Sequence, residues 1–245
     1  MSAADAAATI TSAGSRHVAG RADRLRARLD GIDALVVSDL TNVRWLTGFT
    51  GSNGYVVLTP QRLTLVTDGR YGAQAVHQMD EALVAGEVLV GLSTAAITSH
   101  LDALTAGMET VGFEAAHVSF QQHADWVRAF HTTLRPTNTI VESERRAKDD
   151  DEIALIAAAC GIADRALAEV APHLADGLTE AEVRNRLETR MRELGASGPS
   201  YDTLVASGPL NSALPHHRPD HRLLLPGDLV IIDVGLGDEP EGGFD

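Results

Sequence analysis

Two short stretches in the last fifth of the sequence hold the residue types that hydrolytic chemistry uses. Asp233 lies in LVIIDVG (229–235), an apolar run that reads as a buried strand. An ionised carboxylate in such a place costs several kcal/mol unless a metal, a cation or several N–H donors compensate it. Two readings stand for it: a ligand or partnered carboxylate, or an Asp at a strand end that caps the next turn beside Gly235. In SALPHHRPDHR (212–222), His216, His217 and His221 form a histidine-rich, proline-flanked loop. Neutral imidazole is a common metal ligand. Adjacent side chains on an extended backbone point to opposite sides, however. The pattern therefore favours one His lining a site with the others solvated, and not three ligands on one ion.

Other stretches carry weaker signals. GFTGSNG (48–54) resembles a phosphate cradle, but it lacks the Lys-Ser/Thr ending and precedes a strand, so a tight glycine turn between helix and strand is the better reading. Cys160 falls within a helical apolar pattern and reads as packing, not as a nucleophile. Asp149, Asp150, Asp151 and Glu152 open a helix, where carboxylates favour the positive end of the dipole and cap free N–H groups; a cation site is the lesser reading.

The elements that position these residues fall into two parts. The sequence predicts a charged amphipathic helix from Arg16 to about Gly31, then strands at Ala34–Ser38, Gly54–Pro60 and Arg62–Asp68. A helix over Tyr71–Ala82, a strand near Val88–Val90, helices near Ala95–Leu104 and Phe120–His131, and a strand at Val111–Glu114 complete an α/β layer unit. Thr133–Asp150 reads as a linker. Beyond it come two helices, EIALIAAACGIADRALAEVAPHL and GLTEAEVRNRLETRMRELG. The second has Thr179 and Glu182 at capping-box spacing, and Gly195 is placed for a left-handed cap. Strands in PSYDTLVASG and DLVIIDVG follow, which makes this part α+β. Residues 1–15 read as a flexible lead-in without the pattern of a secretion signal.

Composition excludes some classes. A formal charge of −14 argues against nucleic acid, whose phosphates call for a basic footprint. No apolar run approaches the roughly 18 residues of a membrane span. A single cysteine allows no internal disulfide, which favours a cytoplasmic setting.

Taken in order, several segments resemble one family, the two-domain pita-bread metallopeptidases that include Xaa-Pro aminopeptidase (aminopeptidase P) and prolidase. NVRWLTGFTGSNGYVVL and LVTDGRY look like that family's N-terminal domain, and ERRAKDDDEIALI like its inter-domain junction. GLTEAEV, GPSYDTLVASGPLNSALPHHRP and PGDLVIIDVG look like the opening half of its catalytic domain. The resemblance implies a creatinase/prolidase-like α/β domain over residues 16–140, then the first half of an α+β pita-bread domain over 141–245. It implies a metal-dependent enzyme that cleaves the bond between an N-terminal residue and proline, on proline-containing peptides and as a homodimer. Two divalent ions, held in the family by two Asp, one His and two Glu, would activate a water. Mn suits oxygen-rich ligands best, with Zn and Co as alternatives. Asp233 matches the first Asp, and His216 a histidine that hydrogen-bonds substrate and reacting groups. Asp245, 12 residues after Asp233 in GGFD, is close to the position of the second Asp without matching it in register. With the His and both Glu ligands absent from these residues, the chain reads as a fragment of a longer enzyme, inactive alone. Alternatives are a prolidase acting on dipeptides and a non-catalytic binding protein on the same scaffold; creatinase, which works without metal, is disfavoured by Asp233.

Overall fold

The computed structural model describes residues 18–237, and these form two compact units that divide between Lys148 and Asp149. Residues 1–15 and Asp245 therefore lie outside the described residues.

The first unit is built on a six-stranded mixed sheet. Its strands are β1 (Ala34–Val37), β2 (Gly54–Leu58), β3 (Leu63–Asp68), β4 (Glu87–Gly91), β5 (Thr110–Glu114) and β6 (Thr133–Thr137), in the order β4-β3-β2-β1-β5-β6. β1, β2 and β3 pair antiparallel, while β3–β4, β1–β5 and β5–β6 pair parallel. Every residue of β1 is buried. Leu35 and Val37 join Val43, Leu46, Phe49, Leu65 and Met79 on one face; Ala34 and Val36 join Val111, Leu101, Trp126 and Phe130 on the other. A continuous run such as ALVV is what a strand covered on both faces calls for.

Helices supply that cover: α1 (Arg21–Arg26), α2 (Leu40–Thr47), α3 (Gly72–Glu81), α4 (Thr94–Leu104), α5 (Phe120–Ala129) and α6 (Ile140–Arg145). α1 is shorter than its amphipathic pattern suggests: Gly20, at φ 85°, precedes its start, and the chain leaves the helix at Ala27 before turning at Gly31. The stretch that reads as a linker instead holds edge strand β6 and helix α6, and only its end separates the units. Its proline misleads: Pro136 sits on the sheet's outer strand, where a missing N–H costs no ladder bond on the open side. The glycine turn after α2 is as read. Gly48 caps the helix at φ 75°, and Gly51 leaves room for the buried Phe49, since a Cβ there would lie 2.2 Å from its ring.

The second unit opens with α7 (Asp150–Val170) and α8 (Glu180–Glu193). Both start in a capping box, Asp149 with Glu152 and Thr179 with Glu182, so the acidic run is helix chemistry. Gly195 takes φ 106° just past α8. The α7 stripe Ala158, Ile162, Ala166, Val170 is buried, one residue per turn. Cys160 is two residues off that stripe and is exposed, not packed as its sequence context suggests. The remaining elements are β7 (Gly198–Pro199), β8 (Leu204–Ser207), the short α9 (Gly208–Asn211), β9 (Val230–Asp233) and β10 (Leu236–Gly237). β8 pairs antiparallel with β9, and β7 with β10.

Gly51→Ala forces Phe49 out of its core position, and overpacking of this kind costs about 1–3 kcal/mol. Urea unfolding is expected to show that loss, with an unchanged midpoint speaking against the Phe49 packing.

Candidate functional site

β8 and β9 carry the first candidate, Asp233. It is the last residue of β9, opposite Leu204 of β8. Val230 and Ile232 turn inward onto a core of Val170, Leu178, Val183, Leu187 and Val205. Ile231 and Asp233, on the alternate face, are exposed. The expectation of a buried strand is thus corrected: β9 alternates, with one face against this core and Ile231 and Asp233 exposed on the other. Asp233 consequently needs no burial compensation. Its Oδ1 accepts a 2.6 Å hydrogen bond from the Tyr201 hydroxyl, and this bond to the carboxylate pushes the Tyr201 phenol up from its ordinary value. No hydrogen bond reaches Oδ2 among the described residues. Gly235 makes the arrangement possible, since a Cβ there would lie 2.4 Å from both the Tyr201 ring and Ser200 Oγ.

The histidine loop separates its three residues. His216 and His221 are exposed, whereas His217 turns inward, its side chain 6% exposed. His217 Nε2 donates to Glu180 Oε2 at 2.6 Å. Glu180, the first residue of α8, has no exposure at all. It also accepts from Ser207 N at 2.6 Å, Ser207 Oγ at 2.7 Å, Asn211 Nδ2 at 3.1 Å and, more weakly, Asp220 N at 3.4 Å. Burial by itself pushes the carboxyl up; the bonds from Ser207, His217 and Asn211 outweigh it and hold the group at about 2. Arg222 extends the network, its guanidinium reaching Ser207 Oγ and, at 2.7 Å, Asp228 Oδ2. The loop backbone joins too: Glu180 N and Ala181 N, free donors at the start of α8, give hydrogen bonds to the Arg222 and Asp220 carbonyls.

Glu180, His217 and Asp220 approach one another closely enough to surround a cation, the one such group among the described residues. The Glu180 oxygens are already taken by N–H and O–H donors, so the cluster is a closed ion-paired network and not an open site. Asp233 stands apart from that group, and no hydrogen bond joins it to His216 among the described residues. Of the expected metal ligands, Asp233 is the one that falls within residues 18–237, and a single exposed carboxylate does not by itself make a metal site. The alternation of His216 and His217 was legible in the sequence; the importance of Glu180 was missed. A signal existed: Glu180 continues the buried stripe Val183, Leu187, Met191 of α8, and a carboxylate on such a stripe must be compensated.

The first unit has its own buried carboxylate. Glu114, at the end of β5, accepts from Ser38 N at 2.6 Å, Asp39 N at 2.8 Å and Asn42 Nδ2 at 2.7 Å, tying β5 to the start of α2. A cleft of about 190 Å³, lined in part by Asp39, Glu114, His117 and Glu142, opens beside it.

A mixed α/β unit followed by an α+β unit is the order that the resemblance to the two-domain pita-bread proteins implied, and the likeness to known proteins shows that class. Residues 21–147 match the creatinase/prolidase N-terminal domain, and residues 154–237 match metallopeptidase family M24. The chain belongs to this family of proteins, with a creatinase/prolidase N-terminal domain joined to part of an M24 domain. An uncharacterized peptidase of Bacillus subtilis is 35% identical over 208 residues, covering 84% of this chain and 57% of the relative. The solved Xaa-Pro dipeptidase from Bacillus anthracis superposes with a TM-score of 0.83 at 32% identity, over 89% of this chain and 61% of that one. The X-Pro aminopeptidase from Thermotoga maritima gives 0.75 at 29%, over 87% and 61%. The chain thus spans roughly six-tenths of the length of these relatives. M24 membership implies divalent metal ions. Among the described residues no helix is long and apolar enough to cross a membrane.

Because Glu180 titrates near 2 in the fold and near 4.5 when free, it stabilises the fold above the ordinary carboxylate range. That contribution fades as pH falls from about 4.5 towards 2. Urea unfolding at a series of pH values is expected to show the stability gap between the protein and Glu180→Gln narrowing over this acid range. A gap that stays constant down to pH ~3 would contradict the ionised, partnered state.

Proposed function

We propose that the chain carries the N-terminal unit and the opening part of the catalytic unit of an Xaa-Pro aminopeptidase, hydrolysing the bond between an N-terminal residue and proline. The observation that carries this reading is Asp233, an oxygen ligand held by Tyr201 on the open face of β9, within a match that runs in order through both units. Asp233 is a metal ligand in this reading, with Tyr201 fixing its rotamer so that Oδ2 is presented. His216, exposed on its loop, donates a hydrogen bond to substrate and to the tetrahedral species at the scissile carbonyl. Asp245 is a candidate second ligand. Divalent ions, Mn in the first place, supply an activated water when bound. A homodimer in the cytoplasm completes the proposal.

A dipeptidase is the second reading, favoured by the likeness to the Xaa-Pro dipeptidase from Bacillus anthracis. Chain length on the substrate separates the two: an aminopeptidase cleaves Xaa-Pro-Yaa tripeptides, a dipeptidase only Xaa-Pro.

Residues 1–245 alone are expected to show negligible hydrolysis of either substrate, and robust Mn-dependent turnover by them would refute that. Expressed together with the coding sequence that follows Asp245, the protein is expected to cleave the tripeptide, to lose activity with a chelator, and to regain it with Mn. In that form Asp233→Ala is expected to lower kcat/KM about 100-fold or more, corresponding to about 2.7 kcal/mol of transition-state stabilisation. Full activity in Asp233→Ala would sink the ligand assignment.

A further inference from the structure

We infer that Glu180 is the positioning residue of the candidate site, a buried carboxylate that fixes the His216 loop through His217 and the Asp233 strand through Ser207. The inference rests on the proposed roles of His216 and Asp233, and it deepens them by naming what holds both in place.

Three elements distant in sequence end on this one side chain. Glu180 itself opens α8, where the capping box of Thr179 and Glu182 sets the helix start and aims it along the buried stripe. Ser207 closes β8, and its N–H and hydroxyl both donate to Glu180 Oε1. Ser207 pairs in register with Val230 and Leu204 with Asp233, so the anchored end of β8 sets where β9 runs and where Asp233 emerges. His217, on the other oxygen, belongs to the loop.

The geometry of neighbours turns that last contact into a statement about His216. His216 is the third residue of the turn that His217 N closes on the Leu214 carbonyl, so a His217 held by Glu180 fixes the end of that turn and with it the backbone that carries His216. In the structure His217 is buried against Glu180 while His216 is exposed. The far end of the loop is tied to the start of α8 through the Asp220 and Arg222 carbonyls, but the segment from Leu214 to Arg218 has little else to hold it. Its own turn is a single 3.3 Å bond from His217 N to the Leu214 carbonyl, and Leu214, Pro215 and Arg218 are exposed. The pair between His217 and Glu180 is therefore the side-chain contact that converts a surface loop into a fixed mount. Positioning of this kind matters because a displacement of about 1 Å at a reacting group can cost on the order of 100-fold in rate.

The test reads the mount and its consequence separately. In the 245-residue chain, modification by diethylpyrocarbonate, quantified by mass spectrometry, reports each histidine. His217 is expected to react at least about tenfold more slowly than His216. Glu180→Gln, which keeps the shape and loses the charge, is expected to bring the His217 rate close to that of His216. Equal rates in the unmodified chain, or a His217 that stays protected in a folded Glu180→Gln, overturn the inference. Should Glu180→Gln fail to fold, His217→Ala and His217→Gln take its place, because the partner loop lies at the surface. In the form that includes the sequence after Asp245, His217→Ala is expected to lower kcat about tenfold or more with KM within about twofold. His217→Gln, which retains a donor at similar reach, is expected to restore most of that loss. A purely structural role would move neither kcat alone nor the difference between the two variants, and an unchanged kcat in His217→Ala overturns the inference. If that form hydrolyses no proline-containing peptide at all, the proposed function fails, while the protection of His217 still decides whether Glu180 holds the loop.

Discussion

A carboxylate with no exposure stays ionised only where the protein replaces the hydrogen bonds that water gave it. Glu180 is such a group, and the second unit is arranged around meeting that demand. The backbone and hydroxyl of Ser207, the amide of Asn211 and the imidazole of His217 all turn to it. Each donor comes from a different part of the chain, so satisfying one charge fixes the end of a strand, a short helix and a loop at once. Leaving such a charge with one partner removed is expensive, several kcal/mol where it has been measured, and this is what makes the junction specific.

The first unit solves an analogous problem with Glu114, which gathers the N–H groups of Ser38 and Asp39 and the amide of Asn42 at the carboxyl end of β5. There the carboxylate joins two neighbouring parallel strands to the helix that follows the first of them. In both units a polar side chain sits where the apolar pattern calls for none. In both, it marks the place where separate elements are held in register.

The open face of β9 sets the other constraint. β8 and the α8 side cover Val230 and Ile232, leaving Ile231 and Asp233 exposed, and Tyr201 braces Asp233 from the rim. A carboxylate oxygen on an open face is available to a further partner in a way that a buried, fully partnered one is not. This contrast separates Asp233 from the Glu180, His217 and Asp220 cluster, although the cluster is the tighter constellation of ligand-type residues.

Much of this was written locally. Both capping boxes, the tight turn at Gly48, the run of β1 and the alternation of His216 and His217 follow from neighbours a few residues apart, and the sequence by itself determined them. The same local rules read LVIIDVG as a buried strand, because ALVV and LVII are alike in pattern. They differ only in what packs on each face, and that is a matter of elements far away in sequence. The strand at Thr133–Thr137 was hidden for the same reason, since its pairing with β5 outweighs its proline. Tertiary structure alone decided that Glu180 would meet His217 across 37 residues, that Asp233 would face outward, and that Cys160 would stay exposed. Local pattern sets which conformations a segment can take. Only the packing of distant segments decides which faces lose water, and with that which charges must be partnered and which remain free to act.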